Sequence, residues 1–167
     1  MSTIASTSPN NRYSLLRLSV IGGLITGALH LIIQVAIVFV LIAKTGTLMA
    51  AGQYIASGAL GMAAFDGGIA TALLGVFFHL IIAFVIAGVF ILAADRIPLL
   101  RRNAIVGSLL YGFGVFVVMN FIVTPLSATP AVSAPPTWLV VELVLEHILL
   151  IGLPLGILLQ RNTNIKK

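Results

Sequence analysis

Cysteine is absent from the 167-residue chain. That excludes disulfides, thiolate-ligated metals and iron–sulfur clusters. Charge is scarce too: Asp, Glu, Lys and Arg make up 8% of the sequence, against about 25% in soluble domains. No glycine-rich phosphate loop, nucleophile elbow, kinase signature or HExxH pair occurs. Ser127 and Ser133 have no recognisable base beside them, so the sequence offers no motif for an enzyme. The net charge of +5 comes without a basic stripe interleaved with aromatics, and nucleic acid is not an expected partner.

What is present is apolar. Hydrophobic residues make up 60% of the chain and the mean hydropathy is +1.19. A water-soluble fold of this length could not bury so much apolar surface, so the expected partner is the lipid bilayer. Four runs are long enough to cross it, at 18–43, 68–94, 104–124 and 138–160. The first follows Arg12 and Arg17 and is roughly twice as long as a signal-peptide core, so it reads as a retained span. The fold class is therefore all-α: a polytopic domain over 18–160 with four transmembrane helices in one bundle. Residues 1–17 are expected to be a disordered cytoplasmic terminus and 161–167 a basic cytoplasmic tail. The stretch from Lys44 to Gly67 is too weak for a span and too apolar for an ordinary loop. A short interfacial or re-entrant helix near Thr47 to Gly58 fits it best.

Basic residues alternate between the flanks of these runs. Arg12 and Arg17 precede the first span, Arg96, Arg101 and Arg102 sit between the second and third, and Arg161, Lys166 and Lys167 follow the fourth. The other two connections hold only Lys44 between them. By the positive-inside rule both termini are expected in the cytoplasm, with Trp138 as an interfacial anchor on the opposite side. Small residues recur at GxxxG-type spacing in Gly23 and Gly27, Ser108 and Gly112, and Gly152 and Gly156. They are expected to serve packing within the chain rather than a dimer seam, although a homo-oligomer is compatible with them. Pro154 lacks a donor for the Leu150 carbonyl and is expected to kink the fourth helix.

Against this apolar background the ionisable residues stand out. The run from Trp138 to Gln160 carries Glu142, Glu146 and His147; the other runs carry His30, Gln34, His79 and Asn120. At about 1.5 Å per residue, all seven fall between the midplane and the outer face, which predicts one polar layer drawn from four helices. His30 and Gln34 share a face with Gly23 and Gly27, and Glu142 shares one with Glu146. His147 is expected about 100° away from that face, so the adjacent Glu146 and His147 side chains should diverge. Glu146 is the hardest to explain as packing, because bare charge in low dielectric is costly.

Three readings of the layer follow. It binds a small ligand or proton reached from outside. Alternatively, His30, His79 and His147 ligate a b-type haem or a divalent metal. In the third, the layer is interhelical hydrogen-bond glue in a structural membrane subunit with no ligand.

From Phe78 onwards the chain resembles the uncharacterised YagU-like inner-membrane proteins of bacteria. The residues that carry the likeness are Phe78-His79, the exit Leu92-Ala93-Ala94-Asp95 to Pro98, and Gly107 at the start of the third span. Pro125-Leu126, Thr129-Pro130 and an acid-then-histidine pattern at Glu142 and His147 complete it. The acid–histidine spacing departs from the family pattern by about one residue, so either Glu142 or Glu146 is the matching acid. The resemblance implies a multi-span protein of the bacterial inner (cytoplasmic) membrane and marks His79 and His147 as meaningful positions without a role.

Overall fold

The structure is a computed structural model that describes residues 9–42, 48–130 and 137–164, with no side-chain description at 9–13, 34, 37–42, 48 and 163–164. The described residues are helical throughout their regular structure. The order is α1 (Pro9–Ile42), α2 (Leu48–Leu60), a 3-10 turn (Gly61–Phe65), α3 (Gly68–Arg96), α4 (Pro98–Arg102) and α5 (Ala104–Val118). A π-helical segment (Met119–Val123) and the short α6 (Thr124–Leu126) complete the third long helix. The fourth is α7 (Thr137–Glu146), a π-helical segment (His147–Gly152) and α8 (Leu153–Asn164). Four of these stretches are long and apolar enough to cross a membrane: Ser14–Ile33, Gly68–Arg96, Ala104–Leu126 and Thr137–Asn162. The chain is thus an all-α, four-helix integral membrane protein. On α3, Leu73, Phe77, Ile81, Val85, Val89 and Leu92 form a continuous exposed apolar stripe. Such a stripe is stable only against lipid or another apolar surface.

The helix ends follow from local chemistry. Pro98 disfavours the helical region for the residue before it, and Ile97 is extended (φ −112°, ψ 98°), which ends α3. Pro98 then takes the first position of α4, where its missing donor is no loss. Arg101 closes the corner: its Nε donates to the Ala94 carbonyl at 2.9 Å and its guanidinium pairs with Asp95 at 2.6 Å. Gly61 and Gly68 bracket the turn before α3 with positive φ (59° and 57°), a region other residues rarely adopt. One expectation is corrected at the amino end: α1 already begins at Pro9, so residues 9–17 are its first turns rather than a disordered terminus.

Packing uses the small residues within the chain. Gly23 and Gly27 of α1 lie against Phe84 and Ala83 of α3, and a Cβ at Gly23 would stand 2.9 Å from the Phe84 Cα. Gly112 of α5 lies against the His147 carbonyl, and Gly156 of α8 against Ala104 and Ser108. The short helix α2 does not float at the surface. Its Gly52 abuts Ala72 and Gly75 of α3, backbone against backbone, and its Gln53 and Ser57 are buried. The Gln53 amide donates to the Phe65 and Gly68 carbonyls at 3.3 and 3.2 Å. Near the end that carries the Arg96–Asn103 corner, Leu18, Ala87, Phe90, Ile91, Leu155 and Leu159 form a dry core. Tyr111 borders it, donating its hydroxyl to the Ile86 carbonyl at 2.7 Å.

Both π-helical segments sit just before a proline, at Pro125 and Pro154. A proline cannot donate to the carbonyl four residues back, and its ring crowds that carbonyl. Widening the turn to i→i+5 bonding keeps the preceding carbonyls paired. The sequence led to a kink at Pro154; the structure places the response upstream, as a widened turn that begins at His147.

Candidate functional site

The fourth helix brings Glu146, the last residue of α7, and His147, the first of the π segment, to the interior. The Glu146 side chain is 1% exposed. From α1, His30 reaches across and places its Nε2 3.2 Å from Glu146 Oε1. The His30 ring meets the His147 ring edge-on at 5.2 Å and stacks on the His79 ring of α3, also at 5.2 Å, with a 20° interplanar angle. Three spans therefore converge on one point. The third supplies a wall, since the Phe116 ring lies 5.8 Å from His147 in an edge-on contact.

The hydrogen bonds of the outer two histidines define their roles. His147 Nδ1 donates to the Leu143 carbonyl at 2.7 Å, one turn earlier in its own helix. A carbonyl can only accept, so in the neutral ring Nε2 keeps its lone pair. His79 Nε2 donates to the Gly27 carbonyl of α1 at 3.0 Å, which leaves Nδ1 as its free acceptor. Beyond the 3.2 Å approach of His30 Nε2 to Glu146 Oε1 and the meeting of the Glu142 and Glu146 carboxyls, no polar group reaches His30 or Glu146 with hydrogen-bond geometry. Glu142 lies one turn above Glu146, its carboxyl close enough to share a proton with that of Glu146, and nothing else meets its buried Oε2. Five buried polar atoms without well-formed hydrogen bonds thus crowd one region of an apolar bundle. Each such atom costs about 1–3 kcal/mol when left unsatisfied.

No family model, no curated protein and no solved structure matches this chain. The site has to be read from its own atoms.

Of the seven polar residues singled out in the sequence, five come together: His30, His79, Glu142, Glu146 and His147. Asn120 turns to its own helix, where Nδ2 donates to the Phe116 carbonyl at 3.0 Å. Gln34 belongs to α1, and its side chain lies outside the described residues. The expected divergence of Glu146 and His147 is corrected. Both are buried toward His30, and His30, Glu146 and His147 each offer one ligand atom within 4.8 Å of the others. His30 projects from the neighbouring helix between the two side chains. The π turn that starts at His147 also winds more residues per turn, which narrows the angle between neighbours.

Of the alternative metal set His30, His79 and His147, His30 and His147 fall in a group that could hold an ion, together with Glu146. Stacked rings such as those of His30 and His79 are not arranged as axial ligands on opposite sides of a haem. Phe116 and the carbonyls of Gly27 and Leu143 were not anticipated as parts of the site. Only Gly27 carried a signal, through its shared face with His30.

Proposed function

We propose that this chain is a bacterial inner-membrane protein that binds a small polar ligand in the bundle, at His30, Glu146 and His147. Glu142 and His79 border that site. The observation that carries the reading is the buried group of His30, Glu142 and Glu146, whose polar atoms approach only one another, make no well-formed hydrogen bond and leave His30 Nδ1 with nothing to meet. Packing glue closes well-formed hydrogen bonds, as Asn120 and Tyr111 do to backbone carbonyls. Groups kept in hydrocarbon without partners raise the energy of the empty protein, and a ligand that joins them recovers that cost.

The location supports access from one side. The cluster is nearer to the Gly68 and Thr137 ends of its helices than the dry core around Phe90 and Leu155 is. With the basic flanks in the cytoplasm, that end faces outward, and the core closes the inner half. The inner-membrane location itself follows from the YagU-like resemblance.

The test is the sign of a stability change. Glu146→Leu removes two buried oxygens that make no well-formed hydrogen bond, so it is expected to stabilise the ligand-free protein in detergent by about 1–3 kcal/mol. If the cluster were structural glue, the same substitution would leave His30 without its partner and lower stability by a similar amount. Orientation is checked with Ser133→Cys: labelling by an impermeant thiol reagent in intact cells is expected, and protection would reverse the topology.

A further inference from the structure

The chemistry of the cluster narrows the ligand, provided the polar layer is a ligand site as proposed above. We infer that His30, Glu146 and His147 form an intramembrane site for a divalent first-row transition-metal ion, with Glu142 as the second neutralising carboxylate.

Three observations converge on a metal. The first is geometric. Zinc bonds to imidazole nitrogen and carboxylate oxygen are about 2.0–2.2 Å, so two ligand atoms of a tetrahedral ion stand roughly 3.3–3.5 Å apart. His30 Nε2 and Glu146 Oε1 stand at 3.2 Å, already at that edge length. The third ligand falls within 4.8 Å of both, so drawing it in takes a side-chain adjustment of about 1–1.5 Å.

The second concerns which atoms are free. His147 has Nδ1 tied to the Leu143 carbonyl, which turns the lone pair of Nε2 outward. That is the outer-shell hydrogen bond metal-ligating histidines make. His30 has no competing hydrogen bond at either nitrogen. His79 is fixed by Gly27 and stacks on His30, so it orients the His30 ring and is a positioning residue rather than a ligand.

The third is charge. An ion inside an apolar bundle is tolerated where its surroundings neutralise it. Glu142 and Glu146, ionised, supply two negative charges in contact with each other. One divalent cation makes the group neutral. A monovalent cation would leave one negative charge and a trivalent one a positive charge. A proton shared between His30 and Glu146, with a second shared between Glu146 and Glu142, would still leave His30 Nδ1 without a partner.

The donor set then chooses among divalent ions. Two imidazoles and a carboxylate suit zinc, iron(II), cobalt(II) or manganese(II), whereas calcium and magnesium favour all-oxygen shells. Three protein ligands leave at least one coordination position for water, Glu142 or an outside molecule.

The experiment uses the full chain in detergent, stripped with a chelator and titrated with Co2+, whose visible absorption reports coordination. One Co2+ per chain with four- or five-coordinate bands is expected, displaced by Zn2+ and untouched by excess Mg2+. Glu146→Gln and His147→Gln should each weaken binding by more than about 100-fold, the upper range for loss of an outer-shell partner. Glu142→Gln should weaken it by about 10-fold, and His79→Phe should shift the bands while keeping the stoichiometry. Should Glu146→Gln fail to fold, Glu146→Asp keeps the charge on a shorter arm and should bind with altered bands.

Absence of stoichiometric uptake by the stripped wild type overturns the metal assignment. So does uptake that survives both Gln substitutions unchanged. If no metal binds but Glu146→Leu still stabilises the protein, the ligand-site reading stands and the metal fails. If no metal binds and Glu146→Leu destabilises, both fail.

Discussion

Gly75→Ala tests whether α2 is a working part of the bundle. A Cβ at Gly75 would run into the Gly52 carbonyl oxygen of α2, stand 2.7 Å from the Gly52 carbonyl carbon and 3.1 Å from the Ala56 nitrogen. All three are backbone atoms, so no rotamer change relieves the overlap. With favourable contacts at about 3.5–4.0 Å, α2 has to retreat by on the order of 1 Å. That movement breaks the Gln53 bonds to Phe65 and Gly68, which already stand at 3.3 and 3.2 Å. Overpacking costs typically about 1–3 kcal/mol, and each lost hydrogen bond adds about 1 kcal/mol. The expected loss is about 3 kcal/mol or more.

Gly88→Ala on the same helix is the control, because nothing lies within 4 Å of its added methyl. It should be neutral, or stabilising by up to about 1 kcal/mol through helix propensity. Thermal unfolding of both variants in one detergent gives the comparison. At about 2–4 °C per kcal/mol for a chain of this size, a gap near 10 °C is expected. As a structural readout, Ser57→Cys, buried in the parent, should gain thiol reactivity only beside Gly75→Ala. If the two alanine variants unfold within about 2 °C of each other, the close seating of α2 on α3 is wrong.

Three further outcomes follow from other contacts. Tyr111→Phe removes the hydroxyl that donates to Ile86 and should cost about 0.5–1.5 kcal/mol in the same unfolding assay. Pro154→Ala restores a donor to the Leu150 carbonyl and lets the π segment relax to α-helix, so stability should hold or rise while Co2+ affinity falls as His147 turns away from His30. Asp95→Asn breaks the part-buried pair with Arg101; the expected loss is about 1 kcal/mol, larger in low salt than at 0.5 M, and a salt-independent loss well above that size would contradict a pair screened by solvent on the Arg101 side.

The spans were legible because a bilayer demands long apolar runs. The segment with α2 was legible as a short helix from its weak apolarity and lack of charge, but its seat on α3 depends on backbone contact at Gly52 and Gly75, which no periodicity reports. The site was half legible. His30, His79, Glu142, Glu146 and His147 stood out because ionisable groups are rare in such a background. Their gathering in one layer was legible from depth, but the shared approach of Glu146 and His147 to His30 was not, because an ideal helix turns adjacent side chains about 100° apart and a π turn starts at His147. Phe116 was hidden by its chemistry: one aromatic among nine phenylalanines carries no mark of what it faces.

The depth of Glu146 also has an electrical consequence. It lies nine residues into a helix that starts at Thr137, roughly 13 Å along it at about 1.5 Å per residue. That is roughly 0.4 of a hydrocarbon core about 30 Å thick. A charge reaching Glu146 from that side therefore crosses part of the membrane voltage, worth about 2.3 kcal/mol per charge per 100 mV over the full span. For a divalent ion the partial crossing amounts to about 2 kcal/mol per 100 mV, or roughly a 20- to 30-fold change in occupancy. An energised membrane, negative on the side of the basic flanks, would fill the site, and a collapsed potential would empty it. If the site takes such an ion without releasing protons to the same side, occupancy at His30 and Glu146 becomes a readout of the membrane's charge as well as of the ion outside.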